Sequence, residues 1–220
     1  MAEQYKIIAE QDKSTVVARY ETSKRNRDCY QSEAELERWL IDQLQLQGYE
    51  YPNIRNEQEL LENLRVQLGK ANDTEYSDAE WKKILNEIAG EALTMEDKAA
   101  MIQKENTAIS IDRDNGLKTN VHLVHKDNIF KNRLQVINQY VPEGGTHSNR
   151  YDVTILVNGL PLVHIELKRR GVSIKEAFNQ INRYARESFW AGKGMFDYIQ
   201  LFVISNGTYT KYYSNTTRYA

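Results

Sequence analysis

Apolar and polar positions follow two different rhythms along the chain. From Ser32 to Lys104, apolar residues recur every three or four positions, which is the spacing of one helical face. This spacing predicts helices over 32–47, 57–68, 78–89 and 95–104. After Gly116 the rhythm changes to short apolar runs typical of β-strands, at 121–125, 133–141, 151–157, 160–168 and 198–205. The pattern therefore predicts a helical segment followed by a strand-rich segment.

The last part of this pattern indicates the fold class. The residues GVSIKEAFNQINRYARESF, at 171–189, have a helical apolar face and follow the strand at 160–168. The next run, YIQLFVIS at 198–205, is almost continuously apolar, which is typical of a parallel strand covered on both faces. A strand, helix and parallel strand in this order form a crossover unit, which is expected to be right-handed. We predict an α/β fold with a mixed sheet and flanking helices.

Charged residues interrupt the most apolar part of the pattern, the two strands around the dipeptide Asn158-Gly159. Asp152 stands near the start of the first strand, whereas Glu166 and Lys168 stand near the end of the second. An ionised side chain is costly to bury unless it is paired or bound to a metal. The pattern therefore indicates a place where these charges meet one another or a ligand.

Strand register decides whether Asp152 shares a face of the sheet with Glu166. A two-residue turn at 158–159 without any bulge would leave the two acids on opposite faces. A three-residue loop at 157–159 with a bulge would bring both acids to one face and set Asp152 opposite His164. We predict that bulged register, or an equivalent bulge elsewhere in the hairpin. His164 itself is expected to line the cleft or pack, rather than to bind a metal.

Two carboxylates and a lysine on one face suit the hydrolysis of phosphodiester bonds. Carboxylate oxygens are the ligands that Mg²⁺ prefers, and Mg²⁺ keeps water and substrate phosphate in the rest of its octahedral shell. A lysine two residues after Glu166 can point into the same site and stabilise a charged transition state. Glu-x-Lys also occurs at Glu80 and Glu96, in regions predicted to be helical, so this spacing alone carries little information.

Composition narrows the class of partner. The chain has 220 residues, 29 Lys and Arg, 31 Asp and Glu, and a formal net charge of −2, so it has no overall positive charge for nucleic acid. Positive charge is concentrated at Lys168, Arg169 and Arg170, which are consecutive. Arg169 and Arg170 are candidates for contacts with the phosphates of double-stranded DNA, and the alternative is that they are solvated surface charges.

Other features of the composition bear on location. No apolar run approaches the roughly 18 residues that a membrane span requires. The first residues lack the basic and apolar regions of a secretory signal. The single cysteine, Cys29, excludes an internal disulfide. We therefore expect a cytoplasmic protein that does not bind a membrane.

The order of the motifs is more specific than any one of them. Asp152, then Glu166-Leu167-Lys168, then Gln180 and Tyr184 on the next predicted helix, resemble the PD-(D/E)xK nuclease superfamily in its branch with a Gln-x-x-x-Tyr motif. The stretches SEAELERWLIDQLQLQGYEY, NRYDVTILVNGLPLVHIELKRRG, EAFNQINRY and LFVISNGT are similar to the N-terminal region of the restriction (R, or HsdR) subunit of type I restriction–modification enzymes. A tyrosine, Tyr151, stands where the superfamily has a proline before the aspartate.

This resemblance implies a fold and an organisation. The fold would be restriction-endonuclease-like, a mixed central β-sheet flanked by helices, with a helical insert at about 56–105. Residues 1–220 would form a single endonuclease domain, cut from a longer R subunit. Its nuclease core would span about 119–213 together with the helix at 32–47.

The resemblance also implies roles for the residues of the site. Asp152 and Glu166 would bind Mg²⁺, with the backbone carbonyl of Leu167 as a third ligand, and Lys168 would be catalytic. Among related nucleases a glutamate from an early helix sometimes approaches the metal. Glu33, Glu35 and Glu37 lie in the corresponding helix here, and Glu37 is the candidate.

The two residues of the downstream motif, Gln180 and Tyr184, would support the site or contact the DNA backbone. Full-length R subunits also contain an ATP-driven DNA translocase, and they assemble with methyltransferase (M) and specificity (S) subunits. This chain has no Gly-x-x-x-x-Gly-Lys-Ser/Thr phosphate loop, so it should not bind ATP by itself.

Three functions remain open from the sequence. The first is a Mg²⁺-dependent endonuclease domain that cleaves duplex DNA non-specifically within a type I enzyme. The second is a stand-alone repair or junction-resolving nuclease with the same carboxylate core. The third is a catalytically idle docking module that retains the fold.

Overall fold

The computed structural model describes residues 5–9, 17–20, 32–142, 150–173, 175–176, 179–181 and 194–214. The chain divides into two compact units, 1–31 and 32–220. The smaller unit contains an antiparallel hairpin of β1 (Tyr5–Ala9) and β2 (Val17–Tyr20). All further elements belong to the larger unit.

The described residues of the larger unit form two sheets. The smaller is an antiparallel hairpin of β3 (Ala108–Asp112) and β4 (Lys118–His122). The larger has five strands in chain order, β5 (Leu134–Tyr140), β6 (Tyr151–Val157), β7 (Leu160–Leu167), β8 (Leu201–Ser205) and β9 (Thr210–Ser214). Adjacent strands of this sheet are antiparallel, except for β7 and β8, which are parallel. The predicted α/β class with a mixed sheet is confirmed.

Four α-helices precede the sheets, close to the predicted positions. They are α1 (Glu33–Leu46), α2 (Glu57–Ala71), α3 (Asp78–Ala89) and α4 (Met95–Gln103). Ser32 and Ser77 start α1 and α3 with capping boxes, in which each serine and the glutamate three residues later satisfy backbone N–H groups of the first turn. Among the described residues, no helix combines the length and apolar character that crossing a membrane requires.

One predicted strand is partly wrong. The apolar run at 198–205 becomes a strand only from Leu201, because Met195–Tyr198 form a short 3₁₀ helix. The Tyr198 side chain is fully buried, and its hydroxyl donates a hydrogen bond to the Ile88 carbonyl oxygen at 2.8 Å. The apolar character of this part of the run therefore reflects packing against α3 and not a place in the sheet.

Apolar side chains on the sheet belong to two clusters that alternate along the strands. One cluster joins α1 to Val136, Val153 and Ile165, through residues such as Leu36. The other joins α2, α3 and α4 to neighbouring positions such as Ile137. This alternation is what a pleated strand between two apolar layers produces.

The helix α2 contributes a continuous stripe to the second cluster. Leu60, Leu64 and Leu68 recur at four-residue spacing and are fully buried. Burying a leucine side chain is worth about 1.5–3 kcal/mol. The backbone of Gly159 in the β6–β7 turn approaches the same stripe, and an added Cβ would lie 2.6 Å from Leu64 Cα. Only glycine therefore fits where α2 crosses the hairpin.

Candidate active site

The β6–β7 turn is a two-residue turn, so the predicted three-residue loop is wrong. Asn158 and Gly159 have φ values of 53° and 85°, and Val157 pairs with Leu160. Asparagine and glycine are the residues that favour two consecutive left-handed positions. The Asn158 side chain also holds the turn in place, since its Oδ1 accepts the Arg133 backbone N–H at 2.7 Å.

The bulge that the acids require lies instead one step farther along the hairpin. Leu156 pairs with Pro161 and Ile155 pairs with Val163, so Leu162 is an extra residue in β7. Proline has no backbone N–H to give to the neighbouring strand, and it is found in sheets at edges or bulges. The alternative prediction, an equivalent bulge elsewhere in the hairpin, is confirmed.

This bulge brings the two acids side by side. Beyond it, Thr154 pairs with His164 and Val153 pairs with Ile165, and the same register continued by one position would set Asp152 beside Glu166. A three-residue loop would have set Asp152 opposite His164 instead. Direct neighbours on one face of antiparallel strands have Cβ atoms about 4.5–5.5 Å apart. The negative charge of Glu166 acts on Asp152, so the two carboxyl groups lie near each other.

Hydrogen bonds orient both carboxylates. Asp152 Oδ2 accepts the Leu167 backbone N–H at 2.9 Å, so the aspartate leans toward β7. Glu166 Oε1 accepts a hydrogen bond from Lys168 Nζ at 3.1 Å, and Glu166 Oε2 lies 3.5 Å from His164 Nε2. Glu166 and His164 are fully buried, and Lys168 is 9% exposed. The charged groups predicted from the sequence thus meet at one place, largely out of water.

Burial changes the ionisation of this group. It raises the pKa of Asp152 to about 7, and the negative charge of Glu166 adds to the effect. Burial also raises the pKa of Glu166 to about 7, although Lys168 opposes the shift. Burial lowers the pKa of His164 to about 4, which keeps this imidazole neutral at pH 7. Two neighbouring buried acids of this kind retain a proton between them unless a cation replaces it.

Lys168 is held from three sides. Its backbone N–H donates to the Ser205 carbonyl oxygen at 2.8 Å, which extends the β7–β8 pairing to the lysine. Its Nζ lies 3.1 Å from Glu166 Oε1 and 3.8 Å from Glu33 Oε2. Glu33 is the first residue of α1, and its side chain is 48% exposed. The lysine therefore lies between a buried acid and a partly solvated one.

The glutamates of α1 have different partners. Glu35 forms the capping box with Ser32, whose backbone N–H and hydroxyl both donate to Glu35 Oε2. Glu37, the candidate metal ligand, accepts hydrogen bonds on both carboxylate oxygens from the side-chain amides of Asn138 and Gln139. Glu33 is thus the α1 glutamate that contacts Lys168, a choice that depends on how the helix is rotated against the sheet.

The other predicted site residues lie around this group. Arg169 is exposed, and its backbone N–H donates to Glu33 Oε1 at 3.4 Å. Arg170 is half-buried and lies near Gly207, where an added Cβ would be 3.5 Å from Arg170 Nε. Gln180 is half-buried within the described residues 179–181. Tyr184 lies outside the described residues.

Asp152 and Glu166 provide carboxylate oxygens, which are the kind of ligand that Mg²⁺ prefers. Within the described part of the chain, no group of three or more His, Cys, Asp or Glu side chains could hold a metal ion. Mg²⁺ is commonly bound through one or two carboxylates, with water and phosphate oxygens as further ligands. Glu166 Oε2 is buried and accepts no hydrogen bond from a described residue, so this oxygen is available to a cation.

Comparisons with known proteins identify the family of this sequence. A family described as "Type I restriction enzyme R protein N terminus" matches residues 30–220. The chain is 46% identical over 215 residues to the type I restriction enzyme EcoprrI endonuclease subunit of Escherichia coli, covering 97% of this chain and 68% of that protein. It is 31% identical over 150 residues to the putative type I restriction enzyme MjaVIIIP endonuclease subunit of Methanocaldococcus jannaschii, covering 64% of this chain.

A staphylococcal relative shows how the chain compares with a longer subunit. The chain is 42% identical over 191 residues to the type I restriction enzyme SsaAORF53P endonuclease subunit of Staphylococcus saprophyticus, covering 84% of this chain. The matched region spans only 20% of that relative. Because the family match covers most of the sequence, this chain belongs to the type I restriction enzyme R protein N-terminal family.

Proposed function

We propose that this chain is the Mg²⁺-dependent endonuclease domain of a type I restriction–modification R subunit and that it hydrolyses phosphodiester bonds of double-stranded DNA. The observation that supports this most directly is the group formed by Asp152, Glu166 and Lys168. The bulge in β7 sets the two acids side by side, and Lys168 Nζ lies 3.1 Å from Glu166 Oε1. Phosphodiester hydrolysis uses this combination of paired carboxylates and a nearby cation.

Asp152 and Glu166, together with the Leu167 carbonyl oxygen, would hold the metal ion. When bound, Mg²⁺ activates water and neutralises charge on the phosphate oxygens. Asp152 is kept in position by the Leu167 N–H, and Glu166 by Lys168. Lys168 would donate a hydrogen bond to the attacking water or to a phosphate oxygen, because its ammonium group lies beside the acids and its side chain retains 11% exposure.

DNA would be bound through its backbone. Arg169 and Arg170 directly follow the catalytic lysine, and Arg169 is exposed, so both would contact phosphates. Gln180 and Tyr184 would support the site or the backbone from the following helix. Phosphate contacts carry no sequence information, which makes cleavage by this domain non-specific. Sequence recognition would then belong to the S subunit of an assembly that also contains the M subunit.

Cleavage would follow ATP-driven translocation by motor domains located elsewhere in a longer polypeptide. The relatives are named as endonuclease subunits of type I restriction enzymes, and this chain spans 20% of the staphylococcal one. A Gly-x-x-x-x-Gly-Lys-Ser/Thr phosphate loop does not occur in this sequence. ATP would therefore be bound outside the chain.

Substitution Glu166→Gln in the assembled enzyme tests this function. Losing one of two acids at a metal site is expected to reduce DNA cleavage at least about a thousandfold, which corresponds to about 4 kcal/mol of activation free energy. ATP hydrolysis should be unchanged, because the motor would lie in other domains. DNA cleavage is measured by linearisation of a supercoiled plasmid that has one target site. ATP hydrolysis is measured by the release of phosphate from ATP.

Controls separate this proposal from its alternatives. Glu87→Gln changes an exposed glutamate on α3 and should leave both activities intact. Cleavage that survives Glu166→Gln would indicate a docking module whose site is idle. Cleavage by the purified R subunit without ATP, M and S would indicate a stand-alone nuclease.

Restoration of activity by Mg²⁺ after chelation, and not by Ca²⁺, would support the choice of metal.

A further inference from the structure

Gln139 has an unusual backbone conformation within a β-strand. Three described residues other than glycine have positive φ, namely Asp73, Gln139 and Asn158. Asp73 follows the end of α2 and Asn158 lies in the hairpin turn, and their residue types tolerate this conformation. Gln139, with φ of 55°, is instead the sixth residue of β5. An L-residue with a longer side chain adopts this conformation only when its surroundings impose it.

The position of Gln139 connects it with the candidate active site. Asn138 pairs with Val153 and Tyr140 pairs with Tyr151, so Gln139 lies in register with Asp152 between these pairs. Asp152 is in turn the register neighbour of Glu166 on its other side. The left-handed residue therefore stands in the same row of the sheet as the two acids.

The alternation of side chains breaks at this row. In β5, Ile137 and Tyr140 are three residues apart and belong on opposite faces of a regular strand, yet both lie in the apolar cluster that contains α2. In β6, Tyr151 and Val153 belong on one face, yet they lie in different clusters. Gln139 and Asp152 are the residues at which the two strands change face.

The Gln139 side chain is held from α1. Its Nε2 donates to Glu37, and the amide of the preceding residue, Asn138, donates to the other oxygen of the same carboxylate. Consecutive residues of a regular strand point to opposite faces, so both can reach one carboxylate only because Gln139 is left-handed. Within the described residues, Gln139 Oε1 accepts no hydrogen bond, which leaves Glu37 as the anchor of this side chain.

We propose that Gln139 is a positioning residue for the metal site. Its left-handed conformation, held by Glu37, interrupts the β5–β6 pairing at Asp152 and lets this aspartate lean toward β7, where it accepts the Leu167 N–H. Glu37 then acts on the site through Gln139 and not as a metal ligand. This inference rests on the proposed function, because it assumes that Asp152 and Glu166 bind the cation.

Three substitutions at Gln139 test the inference, with Mn²⁺ as the probe. Gln139→Gly permits the left-handed backbone without steric strain, whereas Gln139→Val opposes it strongly and Gln139→Ala opposes it less. We expect the glycine variant to bind Mn²⁺ within about threefold of the parent and the valine variant at least about tenfold more weakly. Titration of the full 220-residue chain, with free Mn²⁺ measured by electron paramagnetic resonance, gives the dissociation constants.

Two controls address stability and folding. Leu134→Val places the same side chain at the exposed start of β5 and should leave Mn²⁺ binding unchanged. If Gln139→Val does not fold, the comparison uses Gln139→Gly and Gln139→Ala, which differ by one methyl group, at a temperature where circular dichroism shows both folded. Equal Mn²⁺ affinities in that pair, or parent affinity in a folded valine variant, would overturn the inference.

The role of Glu37 is tested in two backgrounds. If Glu37 acts through Gln139, Glu37→Ala weakens Mn²⁺ binding more in the parent than in Gln139→Gly, where the side chain that it anchors is gone. Equal losses in both backgrounds would assign Glu37 to the metal and overturn this part. The variants Asp152→Asn and Glu166→Gln each lack one proposed metal ligand and show how far Mn²⁺ binding falls when the site itself is damaged. If they bind Mn²⁺ like the parent, the proposed metal site itself fails, independently of Gln139.

Discussion

Asp152 and Glu166 are neighbouring acids whose ionised forms are both disfavoured by burial. Burial holds the pKa of each at about 7, compared with ordinary values of 3.8 and 4.5. Lys168 partly compensates Glu166, but the lysine also lies 3.8 Å from Glu33. Without a cation the pair therefore binds protons in the folded state that it would release when unfolded.

The raised pKa values of Asp152 and Glu166 predict how the stability of the metal-free protein depends on pH. Because the folded-state pKa values are raised, the folded protein binds more protons between about pH 4 and about pH 7, and the free energy of unfolding falls as pH rises through this range. One pKa unit corresponds to about 1.4 kcal/mol, so the loss should amount to a few kcal/mol. Urea unfolding in the presence of a chelator, at pH 5 and pH 8, measures it.

The double variant Asp152→Asn with Glu166→Gln is the control for this effect. It removes both titrating groups and keeps the size of the side chains, so its stability should change less between pH 5 and pH 8. The difference between the two proteins cancels the contributions of all other groups. An identical pH dependence in the parent and the variant would contradict the raised pKa values.

At the residue scale, the cluster of charged side chains was easier to predict from the sequence than the contacts that support it. Acids and a lysine in an apolar strand are unusual enough to indicate Asp152, Glu166 and Lys168. Gln139 gives no such signal, because glutamine is an ordinary strand residue and its left-handed conformation depends on contacts with Glu37. The spacing of the glutamates in α1 likewise does not say which one reaches Lys168, since packing sets the rotation of a helix.

At the element scale, α4 is joined to the sheet region by a buried ion pair. Lys98 of α4 is fully buried, and its Nζ lies 2.7 Å from Asp197 Oδ2 and donates to the Gly194 carbonyl oxygen at 3.1 Å. Burial raises the pKa of Asp197 even though Lys98 lies beside it. The desolvation cost of the carboxylate is therefore not fully offset by its partner.

Substitutions of Lys98 and Asp197 should have non-additive effects on the free energy of unfolding. Lys98→Met alone leaves a buried carboxylate without its partner and should lower the free energy of unfolding by about 3–5 kcal/mol. Lys98→Met combined with Asp197→Leu removes both charges and should recover most of that loss. Asp78→Asn, at an ion pair where the aspartate is 89% exposed, should cost less than about 1 kcal/mol. Urea unfolding of the four proteins checks this order.

An additive result would contradict the role given to this pair. If the double variant were as unstable as the sum of its single changes, Lys98 and Asp197 would act through packing with other neighbours and not through each other. The single variant Asp197→Leu completes the thermodynamic cycle.

Elements were predictable where local chemistry defines them. Helices α1 and α3 begin at capping boxes, whose Ser-x-x-Glu spacing is visible in the sequence. The hairpin register was not predictable from its turn residues, because the shift is caused by the bulge beside Pro161. The 3₁₀ helix at 195–198 was missed because apolar residues buried against α3 have the same pattern as a buried strand.

At the scale of the whole molecule, the metal proposed for this site should stabilise the fold. A ligand that binds only the folded state adds about 2.7 kcal/mol at a concentration 100 times its dissociation constant. Mg²⁺ should therefore raise the thermal midpoint of the parent, and more so at pH 8 than at pH 6, because it must displace the protons that Asp152 and Glu166 hold. Differential scanning calorimetry measures both shifts.

Glu166→Gln provides the comparison for this experiment. It should abolish most of the Mg²⁺-dependent shift, whereas Glu87→Gln on the exposed face of α3 should retain it. A shift of the same size in both variants would place the stabilising ion elsewhere in the molecule.

The parallel pair in the large sheet was predictable from the order of elements along the sequence. A strand followed by a helical pattern and a buried strand implies a parallel pair, and β7 and β8 are indeed parallel. The β3–β4 hairpin was only partly anticipated, because the run at 121–125 overlaps β4 but the short segment at 108–112 was not predicted as its partner. The predicted helical insert contributes Leu60, Leu64 and Leu68 to the cluster that contains Phe202 of β8.

The parallel pairing of β7 with β8 has a consequence during synthesis. A growing polypeptide that has emerged as far as Arg170 already carries both acids and the lysine, but the strand whose Ser205 carbonyl receives the Lys168 amide is still to be made. Strands that meet across a long connection pair late, after local hairpins have closed. We therefore expect unfinished chains on the ribosome to lack the complete site, so that the proposed nuclease activity would begin only after β8 has been made.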